Sequence, residues 1–265
     1  GGGGGAALAP PPSAGAPLCS AQCSTRRVQA AAPSTPRRAS SEATDTDSTH
    51  GTLSSACLWE PCMHPTCRAD LEAAIAGDSV HPPFPPVACP RARATLRSAL
   101  ALVCDEACGG ALVCIADKEA FNNVFGEDER QRHGVRPALR SCDGGYMTAR
   151  LRGLHVSDQG FAAAFHEFTR HAQSDRWPED HPDARARGRP KDGALLLSAG
   201  GRRLACAVKL LGLCPVAAWR NVGTRHEAAL GCAWAVHGST VLVKSDQGCL
   251  HVLRRLGQDL HVFAL

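Results

Sequence analysis

Two short segments carry residue types suited to a phosphorylated ligand. The first is Lys191-Asp192-Gly193-Ala194, at the entry to the apolar run Leu195-Leu196-Leu197. An aspartate just ahead of a strand stands at a sheet edge, where its carboxylate can hold a divalent cation or accept a proton from a hydroxyl. The glycine after it lets a ligand approach the backbone closely. Asp-Gly is also a common turn, so this segment alone does not decide the matter. The second segment is Gly223-Thr224-Arg225-His226-Glu227, followed by Ala228-Ala229-Leu230-Gly231. Thr224 is placed to cap a helix, with Glu227 completing a capping box. A helix N-terminus offers free N–H groups and partial positive charge. With Arg225 and His226 beside it, the segment reads as a phosphate site or as a well-capped structural helix.

Weaker signals lie elsewhere. Cys57, Cys62, His64 and Cys67 are zinc-type donors, although their spacing departs from the common C-x2-C knuckle and fits incidental cysteines as well. His155, His166, His171 and His181 are scattered and read as solvent-exposed. The basic run Arg185-Ala186-Arg187-Gly188-Arg189 reads as a solvated loop, or as a guide for a polyanion.

The elements that must position these residues follow from periodicity. Leu96, Leu100, Val103 and Ala107 recur at helical spacing, which predicts a helix from about Arg91 to Cys108, started by Pro90 and stopped by Gly109-Gly110. Ala111–Ala116 is a continuous apolar run and reads as a buried strand. Residues 117–150 are polar and glycine-dotted, which predicts a surface insertion. Ser157 is placed to cap a helix whose Phe161, Phe165 and Phe168 share one face. Residues 174–190 read as a charged loop. Strands are predicted at Ala194–Ser198 and Leu204–Leu211 around a Gly200-Gly201 turn, then a helix over Thr224–Ala235. A hairpin of Thr240–Lys244 with Cys249–Leu253 completes the pattern. Helices mixed with strands in this way predict an α/β domain with a mixed central sheet flanked by helices.

Ahead of this domain, residues 1–55 are low-complexity and open with five glycines. They lack the hydrophobic periodicity needed to bury a face, so a disordered extension is expected. No acidic residue precedes Glu42, whereas Arg26, Arg27, Arg37 and Arg38 are basic; the composition resembles an organelle transit segment, and equally a simple tail. Residues 56–90 read as a Cys- and Pro-rich linker with a short helix over Ala69–Ala76. The first residue is glycine, which suggests processing or a fragment.

Bulk properties narrow the function classes. The formal charge is +4 over 265 residues, too mild to indicate a nucleic-acid protein. No apolar run reaches eighteen residues, so a membrane span is not expected. The 14 cysteines are scattered, several inside apolar segments, which favours a reducing compartment, cytoplasmic or organellar, over a disulfide scaffold.

Taken together, "DGALLLS" followed by "GTRHEAALG" resembles the diadenylate cyclase domain, whose members join two ATP molecules into cyclic di-AMP. That family shows an Asp-Gly-Ala motif opening a strand and a Gly-Thr-Arg-His-Arg motif opening a helix. Upstream, "GGALVCIAD" is similar to the family's strand after its first helix; downstream, "STVLVKSDQGCLHVL" is similar to its closing hairpin. The resemblance covers about Ala92 to Phe263 and implies a diadenylate-cyclase-like fold for residues 91–265. It implies that Asp192, Arg225 and His226 are catalytic. It assigns Gly193, Ala194, Gly223, Thr224, Arg225, His226 and Ser245 to the nucleotide, and Asp192 and Asp246 to Mg2+ or Mn2+. The implied partners are ATP and a second copy of the domain, face to face. The sequence departs from the family at Lys191, where His is frequent, at Glu227, where the family has Arg, and at Gln247, where it has a carboxylate. A catalytically weakened relative that senses an adenine nucleotide is the alternative function.

Overall fold

The structure is a computed structural model. It describes residues 60–78, 84, 87, 89–126, 137–169, 193–213, 217, 219, 222–246 and 248–265. The low-complexity extension, Cys57, the charged loop at 174–190, His171, His181, Arg185–Arg189, Lys191, Asp192 and Gln247 lie outside the described residues.

The chain runs β1 (Cys62–Pro65), α1 (Arg68–Ala76), α2 (Pro90–Ala101), a π-helical turn (Leu102–Glu106), β2 (Ala111–Ala116), α3 (Lys118–Phe125), β3 (Ala138–Ser141) and α4 (Tyr146–Arg150). It continues through α5 (Gln159–Thr169), β4 (Ala194–Ser198), β5 (Arg203–Leu211), α6 (Thr224–Ala235), β6 (Thr240–Lys244), β7 (Leu250–Leu256) and β8 (Asp259–Ala264). The eight strands form one mixed sheet in the order β1-β8-β7-β6-β2-β4-β5-β3. Pairing is parallel for β1 with β8 and for β2 with β4, and antiparallel elsewhere.

Side chains alternate between two faces of the sheet, and each face has its own core. Val113, Ile115, Leu195, Leu197, Leu242 and Val252 pack with α1, α2, α4 and α5. Leu112, Cys114, Leu196, Val241, Val243 and Leu253 pack with α6 and α3. Because helices cover both faces, the central strands are apolar on both sides, which is why Ala111–Ala116 reads as a continuous run. Phe161, Phe165 and Phe168 of α5 are buried in the first core, as their spacing predicts.

Three expectations need correction. Residues 56–90 are not merely a linker: β1 pairs with β8, and Leu71 and Ile75 of α1 are buried in the core. Residues 117–150 are not simply a surface insertion: Phe121 of α3 and Met147 of α4 are buried, and β3 pairs with β5 as an outer strand. The helix after Pro90 does not continue to Cys108. It widens into the π-helical turn and ends where Ala107 turns extended. Lys244 donates from β6 to the Val103 and Ala107 carbonyls (3.3 and 2.9 Å), satisfying groups that the irregular helix end leaves open.

Candidate functional site

A cleft of about 540 Å³ opens at the end of the sheet where β2 and β4 begin and β6 ends, beside the N-terminus of α6. Gly193, Ala194, Gly223, Thr224, Arg225, His226, Ser245 and Asp246 all line it, with Leu112 and Val208 forming apolar wall. Folding therefore gathers three distant segments, and every described residue that the resemblance assigns to nucleotide or metal, into one concavity. Its size is that of an ordinary small-ligand site.

The motif glycine on β4 has a structural cause. Gly193 has φ +110°, in the left-handed region. An added Cβ would stand 2.7 Å from the Val208 backbone N and 2.8 Å from the Ala207 carbonyl carbon. The neighbouring strand is irregular there: the β4–β5 register shifts between Ala194 and Leu196, and Ala207 itself has φ +52°. The bulge is pinned, because Cys142 N–H donates to Ala207 O at 2.7 Å. Bulges of this kind re-aim a strand next to a site.

The start of α6 differs from the sequence expectation. Its N-cap is Gly223, with no side-chain cap, and Thr224 is already the first helical residue. Glu227 is exposed and does not line the cleft, so the Thr224–Glu227 capping box does not form. The helix starts one residue earlier than a box requires, which leaves its N-terminus without a side-chain cap.

Arg225 and Asp246 meet across the cleft. Arg225 Nη1 lies 3.3 Å from Asp246 Oδ1, and the Gly110 N–H donates to the same oxygen at 2.7 Å. In the sequence Gly110 reads only as part of a helix stop. Its N–H belongs to the site, and a Cβ there would fall on the Arg225 guanidinium and the Asp246 carboxylate. Ser245 closes the β6–β7 turn: its N–H donates to Cys249 O at 2.9 Å, and its Oγ accepts from Cys249 N–H at 3.1 Å.

His226 does not serve as a second cation. It is buried, with its ring edge-on to Trp219 (5.1 Å between centroids) and to His251 on β7 (5.3 Å). Burial, and secondarily the Arg225 charge, push its pKa below the usual histidine value. Burial, and secondarily His226, push His251 down to about 4. Both rings are neutral at pH 7, so His226 presents an uncharged imidazole to the cleft and Arg225 supplies the charge. Trp219 and His251, which no motif indicated, shape the site from behind.

Among the described residues no group of three or more His, Cys, Asp or Glu side chains is placed to hold a metal ion. Of the zinc-type donors, Cys57 lies outside the described residues, and His64 and Cys67 have local partners. His64 Nε2 lies 2.9 Å from His261 Nδ1 across the β1–β8 pair, and Cys67 Sγ caps α1 by accepting from Asp70 N–H. His166 is exposed, with Cys108 Sγ 3.2 Å from its Nδ1; His155 is only partly exposed and lies 2.8 Å from Ser157 Oγ. No helix among the described residues is long and apolar enough to cross a membrane.

No known protein family matches the chain, and no curated protein matches it either.

Proposed function

We propose that this cleft binds ATP and that the domain is a diadenylate cyclase, condensing two ATP molecules into cyclic di-AMP with release of pyrophosphate. One observation carries the reading: the eight described residues assigned to nucleotide and metal by the sequence resemblance all line a single cleft, although they come from three separate stretches of chain. The exposed position of Glu227, outside the cleft, also favours it, since the anion that departs from the family pattern does not face the ligand.

In this reading Arg225 and the uncapped start of α6 take the triphosphate. Gly193 and Ala194 allow the nucleotide close to the β4 backbone. Asp192 orients the ribose 3′-hydroxyl and accepts its proton as the 3′-oxygen attacks the α-phosphorus of the second ATP. The oxygen donors Asp192 and Asp246 suit Mg2+ or Mn2+ of the kind that enters with substrate phosphates and takes only one or two carboxylates from the protein. When bound, such a cation neutralises triphosphate charge and polarises a hydroxyl. A cleft of this size accommodates one nucleotide, so the reaction requires two copies of the domain facing each other, and positioning supplies much of the rate.

The test is product analysis. The full chain is incubated with ATP and Mg2+ or Mn2+, and cyclic di-AMP is sought, with Asp192→Asn as control. Product that the substitution abolishes supports the cyclase. Saturable ATP binding without product leaves the alternative, a nucleotide sensor. Absence of ATP binding overturns both.

A further inference from the structure

One carboxylate oxygen in the cleft has the surroundings of a phosphate oxygen. Asp246 Oδ1 accepts from a backbone N–H, that of Gly110 at 2.7 Å, and lies 3.3 Å from the Arg225 guanidinium. A backbone N–H converging with a guanidinium is a donor set that proteins use for phosphate oxygens. Asp246 comes from the exposed β6–β7 turn, whereas Gly110 belongs to the segment leading into β2 and Arg225 to α6. The lack of a Cβ at Gly110 is what lets the guanidinium and the carboxylate close over that N–H.

We infer that Gly110 N–H and Arg225 form a seat for one phosphate oxygen, and that Asp246 fills it as an internal competitor. This rests on reading the cleft as a nucleotide site. A polyphosphate entering the cleft must displace the Asp246 carboxylate, because two anions cannot share the seat. The same displacement makes the carboxylate available to a divalent cation. The two roles of Asp246 therefore alternate, and affinity for polyphosphate is held down while the cleft is empty.

The probe is inorganic triphosphate, titrated calorimetrically into the full chain in EDTA. Asp246→Ala removes the competitor, and Asp246→Asn is the near-isosteric second variant should the alanine protein fold poorly. Either variant binds triphosphate on the order of tenfold more tightly than wild type, since it loses both an ion pair and a repelling charge. Gly110→Ala in the Asp246→Ala background removes that gain, because its Cβ intrudes on the seat. Equal or weaker binding by Asp246→Ala and Asp246→Asn overturns the inference. A parallel titration of wild type with ATP and Mg2+ separates the two proposals. ATP binding without the Asp246 effect sinks the competitor alone, and no ATP binding sinks the nucleotide reading.

Discussion

Replacing Gly193 by alanine probes the geometry that places Gly193 and Ala194 at the cleft. The perturbation has two parts. Alanine at φ +110° meets the steric penalty that L-residues carry at positive φ, about 1–2 kcal/mol. Its Cβ would also stand 2.7 Å from Val208 N and 2.8 Å from both Ala207 C and Val208 O. All three are backbone atoms, and the bulge they form is tied down by the Cys142–Ala207 hydrogen bond, so rotating a side chain gives no relief. Such overpacking costs about 1–3 kcal/mol. The combined loss is about 3 kcal/mol, or roughly 6–12 °C in Tm at the 2–4 °C per kcal/mol that applies to a domain of 150–250 residues. Urea and thermal unfolding of the full chain, followed by circular dichroism, measure it. Gly200→Ala is the control: its Cβ meets only Ser198 Oγ at 3.8 Å, so the change stays within about 0.5 kcal/mol of wild type. A Gly193→Ala protein as stable as the control would refute both the backbone geometry and the close β4–β5 approach.

Two further outcomes are expected. His251 and His226 have lowered folded pKa values, so the stability they contribute is present above pH 6.5 and is lost as pH falls, for His251 down to about 4. For His251 the loss between pH 7 and pH 5 is about 1–2 kcal/mol after allowance for partial solvent screening; His251→Gln flattens this part of the urea-midpoint profile, and an unchanged pH slope contradicts the assignment. Glu227→Arg installs the arginine of the motif that the sequence resembles at an exposed position outside the cleft; under the proposed function, ATP affinity changes by less than about threefold. A tenfold gain by calorimetry would mean that residue 227 does face the phosphates.

Much of this protein is legible in the sequence because the local signals are strong. Ala111–Ala116 and Thr240–Lys244 are apolar runs of strand length, and Phe161, Phe165 and Phe168 repeat at helical spacing. Glycine ahead of Ala194 and Arg225 at a helix start are likewise visible as residue types at fixed offsets. Cys62–Pro65 is not legible, since four residues without alternation become a strand only by pairing with β8 at the far end of the chain. The role of residues 117–150 was hidden for the same reason: Ala138–Ser141 is exposed along its length and is held by β5.

The sequence by itself determined which residues are chemically equipped: the Asp192 motif, Arg225, and the serine-aspartate turn at Ser245–Asp246. Only the tertiary structure decided how the described ones among them are arranged. Burial against Trp219 and His251 removes the charge of His226, because desolvation disfavours an imidazolium. The helix start at Gly223 puts Glu227 outside the cleft, one residue past a capping box. The approach of Gly110 to Asp246, 136 residues apart in the chain, gives a glycine that reads as a helix stop a backbone N–H at the site. These are consequences of distance in space, and periodicity along a chain carries no information about them.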